Sequence, residues 1–343
     1  MTVNGGIVVK HLGVHKLQLH FSQAQYDSRQ DWNAKTKALM RKVPEPFDET
    51  EEIDWTPVWS LTDQDWKYLP TAYCYFNYPK SSKPYCWADS NGCASGNSLE
   101  EAILHGFMEL VERDSIALWW YNRLSKPTVD LDSFDEPYFQ GLQEYHQKLQ
   151  RKLWVLDITS DLNIPTFAAI SQRTDREIED IVLGFGSHFD AKIAVSRALT
   201  EANQILPSVL HLAADGSTLY SPSINPVAVD CWKTATAENQ PYLVPDRSAV
   251  AKRYSDYPQV WSNNLLDDIM ACQQIVENKG MKMLVLDQTR PDIGLRVVRV
   301  IVPGMRHYWK RLGSGRLYDV PVQMNWLPAP LEESQLNPIS MWM

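Results

Sequence analysis

The sequence of 343 residues has little clustered positive charge and no long apolar run. Its formal net charge is −9 at pH 7, and no run of Lys or Arg exceeds two residues. A nucleic-acid-binding surface needs clustered basic residues, so we expect no nucleic-acid partner. No apolar stretch approaches the roughly 20 residues of a membrane span, and the opening MTVNGGIVVKHLG lacks the long apolar stretch of a signal peptide. We therefore expect no membrane partner either.

Cysteine is also scarce. The five cysteines include no CxxC pair, and their odd number suits reduced thiols in the cytoplasm. A structural zinc site is therefore not expected. Cys93 lies in a glycine-rich turn, where it is either a nucleophile or, as is more usual for an isolated cysteine, a small buried residue. The five residues are Cys74, Cys86, Cys93, Cys231 and Cys272.

Apolar and aromatic side chains, in contrast, are plentiful. Hydrophobic residues make up 44% of the chain, with 13 Trp and 15 Tyr, which is enough for a folded core. Helical and strand patterns alternate, so the predicted fold class is α/β or α+β, with strands that need not be parallel. We predict an N-terminal arm at 1–55, a main domain at 56–330 that is incomplete at its N-terminus, and a C-terminal tail at 331–343.

The individual elements follow from local patterns. Residues 68–76 (YLPTAYCYF) have the β-branched and aromatic density of a strand, and a helix is predicted from Ser98, its N-cap, to about Tyr121. The stretch 217–258, rich in Pro, Tyr and Ser, is predicted to be a surface excursion. Further helices are predicted at 133–151, 191–206 and 265–279, and further strands at 152–159, 167–171, 180–190, 281–289 and 295–303.

The most informative segment is SNGCASGNSLEEAILHGFMELVERDSIALWW, from Ser90 to Trp120. At about 100° per residue of helix, three carboxylates and a histidine fall within roughly 80° of one another, with Arg113 about 100° further round. Three acids this close repel one another unless a cation lies between them. Carboxylate oxygens suit Mg²⁺ and an arginine suits phosphate, so this acidic stripe predicts a divalent-metal site. Its members are Glu101, His105, Glu109 and Glu112, of which the histidine is more ordinarily a hydrogen-bonded packing residue than a ligand.

The turn before this helix allows two interpretations. Gly92 and Gly96 can simply permit a positive φ, or the backbone N–H groups of residues 91–97 can face an anion at the helix N-terminus. Neither a Walker A pattern nor GxGxxG is present. A P-loop or Rossmann site is therefore not supported.

A second helix, at 191–206, has a polar face of similar chemistry, spread over an arc of roughly 140°. On the ordinary interpretation, Arg197 and Glu201 form a solvated surface pair spaced i,i+4. Two such helices packed side by side would instead enclose a polar cleft of carboxylates, amides and arginines. The polar residues are Ser196, Arg197, Thr200, Glu201 and Gln204.

A valine-rich strand near the C-terminus leads to a basic cluster. The segment 287–303 is followed by Arg306, His307, Lys310 and Arg311. Such a cluster can bind phosphate or an acidic peptide, or it can decorate a surface without binding anything.

Together these segments resemble the YcaO family of ATP-dependent peptide-backbone-modifying enzymes, and most closely its azoline-forming cyclodehydratases. SNGCASGNSLEEAILHGFMELVERD resembles the family's signature for ATP and Mg²⁺ binding, and RALTE resembles its companion arginine–glutamate element. LDQTRPDIGLRVVRVIVPGMRHYWKRLGSGRLYDVPV resembles the C-terminal block of the azoline-forming branch. The resemblance implies a YcaO-type fold in which sheets and helices enclose the nucleotide.

The resemblance also implies roles for individual residues. Four carboxylates would hold Mg²⁺, two arginines would contact the phosphates of ATP, and two residues of the turn would lie near the nucleotide. The metal ligands would be Glu101, Glu109, Glu112 and Glu201, the phosphate contacts Arg113 and Arg197, and the turn residues Asn97 and Ser98.

In the reaction that the resemblance implies, a Cys, Ser or Thr side chain of a ribosomal precursor peptide attacks the preceding backbone carbonyl. ATP phosphorylates the resulting oxyanion, and phosphate departs to leave an azoline. The resemblance also implies a separate leader-peptide-binding protein of the ThiF-like (E1-like) kind and a flavin-dependent azoline dehydrogenase that acts afterwards. It leaves a homodimer open.

Two features of the family are not matched. The motif SxxxExxER is not found in residues 1–89, and residues 18–34 instead resemble the stretch that normally follows it. We therefore expect a truncated product, half of a split enzyme or a degenerate relative. The chain ends NPISMWM and keeps only Pro338 of the PxPxP tail of azoline-forming members.

Two other functions stay open at this point. A non-catalytic scaffold that keeps the fold and binds a partner or peptide would agree with the unmatched motif. A thioamide- or amidine-forming relative would keep activation by ATP and change the nucleophile, and only the C-terminal block speaks against it.

Overall fold

The described part of the chain falls into two compact units, seen in a computed structural model. The first unit contains the acidic stripe and the C-terminal basic cluster; the second contains the RALTE helix. No helix among the described residues is long and apolar enough to cross a membrane. The structure describes residues 20–35, 41–48, 50, 52–79 and 84–342. The first unit takes the described residues up to Ala117 together with Ser262–Gln323, and the second takes Leu118–Trp261 and the described residues from Met324 onward.

The strands and helices follow one another as several of the sequence patterns predict. The strands are β1 (Trp55–Ser60), β2 (Asp65–Pro70), β3 (Cys93–Gly96), β4 (Arg151–Asp157), β5 (Thr166–Arg173), β6 (Val182–Ser187), β7 (Leu284–Asp287) and β8 (Arg296–Ile301). The helices are α1 (Gln23–Asp27), α2 (Arg29–Lys35), α3 (Thr71–Cys74), α4 (Leu99–Asn122), α5 (Pro137–Lys148), α6 (Ala191–Ile205), α7 (Pro226–Thr234), α8 (Leu265–Asn278) and α9 (Arg316–Gln323).

The first unit is built on an antiparallel sheet with the strand order β2-β1-β7-β8-β3. Strand β1 alternates as a half-buried strand should, because Thr56, Val58 and Ser60 are buried and the residues between them are more exposed. At the other edge, β3 pairs with β8 so that Cys93 lies opposite Arg299. This pairing places the glycine turn and the start of α4 beside the strand that leads to the basic cluster.

Helix α4 is 24 residues long and confirms the predicted helix. The hydroxyl of Ser98 accepts the N–H of Glu101 at 3.2 Å, as the predicted cap requires. After Asn122 the chain leaves the helix through Arg123, which has a left-handed φ of 49°. Its first 19 residues, Leu99–Ala117, belong to the first unit and its last turn to the second.

The second unit is built on the antiparallel sheet β4-β5-β6, with α6 packed on β5 and β6. A Cβ on Gly184 would lie 2.1 Å from the backbone nitrogen of Ala202, and a Cβ on Gly186 would lie 2.1 Å from the carbonyl oxygen of Ala194. Helix and strand therefore approach so closely that only glycine fits on the strand. The small residues of VLGFGS and AKIAVSRALTEANQI are explained by this contact.

Two predicted elements are wrong in part. Strand β2 ends at Pro70 and is followed by the helix α3, because Tyr73 and Cys74 turn into the core rather than extending the strand through residue 76. The stretch 217–258 is more than a surface excursion. It contains α7, and it buries Trp232 and Tyr242 in the second unit, with exposed fractions of 3% and 1%.

The predicted domain boundaries at residues 55 and 330 remain predictions. Within the described part of the predicted arm, α1 and α2 are helical. In the predicted tail, Asn337 is buried and donates to the carbonyl of Trp120 at 3.2 Å and to the hydroxyl of Tyr242 at 2.8 Å. The tail is thus packed into the second unit up to Trp342, of which 7% is exposed.

Candidate functional site

The predicted glycine turn is only partly a turn, because its residues 93–96 form strand β3, and the segment lies tightly against α4 and β8. Gly92 has a φ of 76°, and a Cβ on it would lie 2.1 Å from the carbonyl oxygen of Val300. A Cβ on Gly106, in the helix, would lie 2.7 Å from the carbonyl oxygen of Gly92. Gly92 therefore serves both a positive φ and a close approach, whereas Gly96 serves only the approach, to the backbone nitrogen of Ala102 at 2.6 Å. The turn is fixed by packing.

Glu109 joins this turn to the acidic stripe. Its carboxylate accepts the N–H of Gly92 at 2.8 Å and forms an ion pair with Arg113, one helical turn further on. Both side chains are mostly buried, with exposed fractions of 26% and 14%. A buried ion pair held in addition by a backbone N–H has a defined orientation.

The guanidinium of Arg113 also lies over the ring of Tyr308, 4.5 Å from its centroid. Burial lowers the pKa of Arg113, but Tyr308, Glu109 and Glu112 raise it by more, so its pKa lies above the ordinary value. Its Nε is buried and has no hydrogen-bond partner among the described residues. The structure therefore brings together Glu109, Glu112 and Arg113, as the sequence predicts, and adds Tyr308.

Asn97, Ser98 and Glu101 form the cap of α4. The carboxylate of Glu101 accepts both the backbone N–H of Asn97 at 2.8 Å and its side-chain amide at 3.0 Å. These hydrogen bonds lower the pKa of Glu101. Eight residues separate Glu101 from Glu109, or roughly 12 Å along the helix axis. The cap and the Glu109 pair are thus neighbouring parts of one face, with His105 between them and its Nδ1 3.2 Å from the carbonyl oxygen of Ser95.

Carboxylates of the stripe do not converge on one point. Within the described ranges, no group of three or more His, Cys, Asp or Glu side chains is arranged to hold a metal ion. The roles of Glu101, Glu109 and Glu112 as metal ligands therefore stay predictions.

In the second unit, Arg197 and Glu201 are directed at strand β6. Arg197 donates to the carbonyl of Ser187 at 3.3 Å, and Glu201 accepts the N–H of Phe185 at 2.5 Å. Both residues are partly buried, so a purely solvated surface pair does not describe them. Their assignment to phosphate and metal stays a prediction.

The basic cluster after β8 is buried, so the interpretation as surface decoration is wrong for most of it. Arg306, His307 and Arg311 have exposed fractions of 1%, 4% and 5%. Burial, with the charges of Arg311 and Arg113 adding to it, holds the pKa of His307 well below its ordinary value. His307 also stacks on Trp309, with ring centroids 3.9 Å apart. It is therefore a neutral packing residue near neutral pH.

Sequence reasoning missed two buried aspartates that bind residues of this cluster and the arginines beside it. Asp89 accepts from Arg299 at 3.0 Å and from Arg311 at 3.4 Å. Asp114 accepts the N–H of Arg306 at 2.7 Å and pairs with Arg316 at 2.6 Å. In the sequence, only their positions could have indicated them: Asp89 comes just before the glycine turn, and Asp114 comes just after Arg113.

Comparison with known proteins identifies the family. A family model described as YcaO cyclodehydratase, ATP- and Mg²⁺-binding, matches residues 10–306. The chain belongs to the YcaO family.

Solved structures agree with this assignment. A heterocyclase in complex with substrate and cofactor is 48% identical, with a TM-score of 0.91 over 97% of this YcaO chain. The heterocyclase TruD is 51% identical, with a TM-score of 0.88 over 96% of the chain. The chain spans 44% and 45% of those two proteins. The predicted fold class, α/β or α+β of the YcaO type, is confirmed.

More distant relatives share the fold or part of the sequence. YcaO from Methanopyrus kandleri, solved with AMPPCP and Mg²⁺, is 23% identical, with a TM-score of 0.57 over 76% of this chain and 67% of that one. An uncharacterised protein of Methanothermobacter thermautotrophicus is 29% identical over 273 residues, which are 77% of this chain and 68% of that protein. An uncharacterised Rhizobium leguminosarum bv. trifolii protein, from the tfuA 3′ region, is 30% identical over 63% of this chain and 52% of its own length.

Cys93 has no feature of a nucleophile in this YcaO chain. It lies in β3, and burial raises the pKa of its thiol above the ordinary value. A raised pKa leaves less of the reactive thiolate at neutral pH. Cys93 is only partly buried, so the interpretation as a small buried residue holds for its packing role but not for full burial.

Proposed function

We propose that this chain carries the catalytic part of an ATP-dependent peptide cyclodehydratase, which converts Cys, Ser or Thr residues of a ribosomal precursor peptide into azolines. The observation that carries the proposal is the high identity to two heterocyclases, 48% and 51%, over nearly the whole chain. The ion pair of Glu109 and Arg113 at the glycine turn supplies a matching site.

The donor set fits ATP and Mg²⁺. Mg²⁺ keeps several waters and takes one or two protein carboxylates together with phosphate oxygens, so a cluster of three protein ligands is not required. When bound, Mg²⁺ would neutralise charge on the phosphates. We propose Glu109 and Glu112 as its ligands, with Glu101 and Glu201 as further candidates.

Arg113 is suited to a phosphate of ATP. Its Nε has no partner among the described residues, while Glu109 and the ring of Tyr308 fix the guanidinium plane. A guanidinium held in one orientation binds phosphate oxygens with little loss of rotamer entropy. Arg197 is proposed as a second phosphate contact, and Asn97 and Ser98 as neighbours of the nucleotide.

The partners follow from the same activity. We propose a precursor peptide as substrate, with capture of its leader by a ThiF-like (E1-like) protein. A flavin-dependent dehydrogenase would then oxidise the azoline, and a homodimer remains open. A cytoplasmic location is supported by the five cysteines, all of which are free.

Binding of Mg·ATP to the chain tests the site without requiring turnover. We expect Glu109→Gln to weaken binding, measured by titration calorimetry, by at least about tenfold, since it removes a carboxylate and releases Arg113. Glu100→Gln is the matched control, because Glu100 lies in the same helix outside the acidic stripe, and its affinity should equal that of the wild type. Equal affinity in both variants would refute the assigned role of Glu109.

Product mass tests the reaction itself. With a heterocyclase substrate peptide and ATP, loss of one water per modified residue indicates ring closure. Exchange of oxygen for sulfur would instead indicate a thioamide-forming enzyme. A protein that shows no metal-dependent nucleotide binding and leaves the peptide unmodified is a scaffold, and the proposal would be wrong.

A further inference from the structure

A cavity lies within the second unit, apart from the acidic stripe. Its volume is about 720 Å³, within the range of ligand-binding pockets. It is lined by Arg151, Lys152 and Arg247 together with the amides of Gln143, Gln147 and Gln172, and none of its described lining residues is acidic. The other lining residues are apolar, so the polar part of the wall has only cations and amides, which attract a negatively charged ligand.

The cavity runs along the edge of β4. Four consecutive residues of this strand, Arg151 to Trp154, line it. Successive side chains of a strand point to opposite faces, so a cavity lined by all four lies beside the strand rather than on one face of the sheet. β4 is the edge strand of the order β4-β5-β6.

The backbone at this edge has hydrogen-bonding groups that face outward. Further along β4, the carbonyl of Val155 accepts the N–H of Val129 at 2.9 Å, and the N–H of Asp157 donates to the carbonyl of Pro127 at 3.0 Å. Backbone groups of alternate residues face the same side. The N–H and C=O of Leu153 therefore face the cavity side, where β4 continues beyond that short pairing.

Arg151 supplies the decisive charge. It is 3% exposed, and its guanidinium is held by neutral acceptors: the hydroxyl of Ser171 at 2.7 Å and the carbonyls of Ser171 at 2.9 Å and Asp180 at 2.5 Å. Its Nη1 is buried and has no partner, and Arg151 forms no salt bridge with a described residue. Burial lowers its pKa to about 10, with Arg173 contributing, and the charges of Asp180 and Asp175 offset only part of that shift.

The neighbouring arginine is in direct contact with a carboxylate, whereas Arg151 feels the nearby aspartates only at a distance. Arg151 and Arg173 lie directly opposite each other on β4 and β5, a pairing of like charges that is unfavourable. The carboxylate of Asp180 pairs with Arg173 at 2.6 Å and is also bound by the hydroxyls of Thr218 and Tyr220. A buried cation with no carboxylate in contact is costly, and an anion at the cavity would offset that cost.

From this juxtaposition we propose that the edge of β4 binds an extended peptide segment that carries acidic side chains. The segment adds as a further strand along Arg151–Trp154, and its carboxylates face Arg151, Lys152 and Arg247. Lysine on an edge strand also serves to prevent aggregation, which accounts for Lys152 but not for the buried Arg151. Main-chain hydrogen bonds supply affinity and the cations supply selectivity. The proposal is independent of the cyclodehydratase activity.

Hydrogen exchange of the full chain tests the proposal directly. The probe is a short acetylated and amidated peptide of alternating valine and glutamate, compared with the same peptide carrying lysine in place of glutamate. We expect the glutamate peptide to slow exchange of the Leu153 amide by at least about tenfold and its affinity to fall with salt. Equal protection by the lysine peptide, or an unchanged Leu153 amide, would overturn the proposal. Inorganic phosphate is a further arm, and protection of that amide by phosphate alone would show a small-anion site instead.

Variants of the chain test the contribution of the cations to peptide binding separately from that of the backbone hydrogen bonds. Lys152→Glu combined with Arg247→Glu should weaken binding of the glutamate peptide by at least about tenfold. Lys148→Glu, an exposed lysine of α5 that does not line the cavity, should leave it unchanged. Leu153→Pro removes one outward N–H and should abolish binding while thermal unfolding shows a folded protein, since proline is tolerated on edge strands. Unchanged affinity in the double variant would contradict the proposal.

Discussion

At single positions of this protein, the backbone conformation and the room for a Cβ restrict the residue type as much as chemistry does. Gly92 occupies a left-handed conformation and also lies in contact with the carbonyl of Val300, so both its φ and its lack of a Cβ are required. Glu109 then uses the N–H of the same residue as a hydrogen-bond donor. The turn and the carboxylate therefore depend on each other.

We predict that Gly92→Ala destabilises the protein by at least about 2 kcal/mol, because alanine is strained at this φ and its Cβ overlaps the carbonyl of Val300. Gly141→Ala is the matched control. Gly141 lies within α5 with no atom within 4 Å of an added Cβ, so alanine there should stabilise by about 0.5–1 kcal/mol. Urea unfolding measures both values. A Gly92→Ala protein as stable as the wild type would show that the turn can relax.

At the scale of elements, the segment that follows β8 is attached to α4 through one buried aspartate. Asp114 is fully buried and holds both the backbone of Arg306 and the guanidinium of Arg316. The guanidinium of Arg113, the preceding residue, lies over the ring of Tyr308. One turn of α4 thus positions the cluster and presents Arg113 to the glycine turn.

The buried pair should matter far more than an exposed pair of the same length. Asp114→Asn removes the buried carboxylate charge that pairs with the guanidinium of Arg316, and we expect a loss of about 3 kcal/mol in the free energy of unfolding. The pair of Arg290 and Asp292 has the same separation, 2.6 Å, but its side chains are 69% and 62% exposed. Asp292→Asn should therefore cost less than about 1 kcal/mol. Similar losses in chemical denaturation of the two variants would be inconsistent with this account.

At the scale of the whole molecule, a 343-residue chain with YcaO sequence along most of its length folds into two units around two antiparallel sheets. The second unit buries a lysine side chain, which is unusual for this residue type. Lys126 is 5% exposed and its ammonium lies over the ring of Trp326. Burial lowers its pKa to about 7, and Asp157 offsets only part of that shift.

This lysine should make stability depend on pH. In the unfolded chain a lysine has a pKa of about 10.4, so between about pH 7 and about pH 10 the unfolded state binds a proton that the folded state lacks. The free energy of unfolding should therefore rise with pH in this window, and Lys126→Met should reduce that rise. Lys148→Met, an exposed lysine, is the control and should keep the slope of the wild type. Chemical denaturation at several pH values gives the slopes, and identical slopes for Lys126→Met and the wild type would contradict the assignment.

The sequence by itself determined the family, the helix with the acidic stripe and most of the strands. These depend on local periodicity and on contiguous motifs, such as the cap of Ser98 and Glu101, and both are visible along the chain. The pairing of Glu109 with Arg113 was also within reach, because residues four apart on a helix are neighbours.

Only the tertiary structure decided which charges are buried and what neutralises them. Asp89 and Arg311 are 222 residues apart in sequence, and Asp114 and Arg316 are 202 apart, so no local pattern connects them. For the same reason the stretch 217–258 was predicted to lie on the surface, although its Trp232 and Tyr242 belong to the core. That Arg151 has no ion pair with a described residue is likewise invisible in sequence, because it depends on Asp180 pairing with Arg173 instead. Local patterns reveal which residues share a face, and long-range packing decides what each face meets.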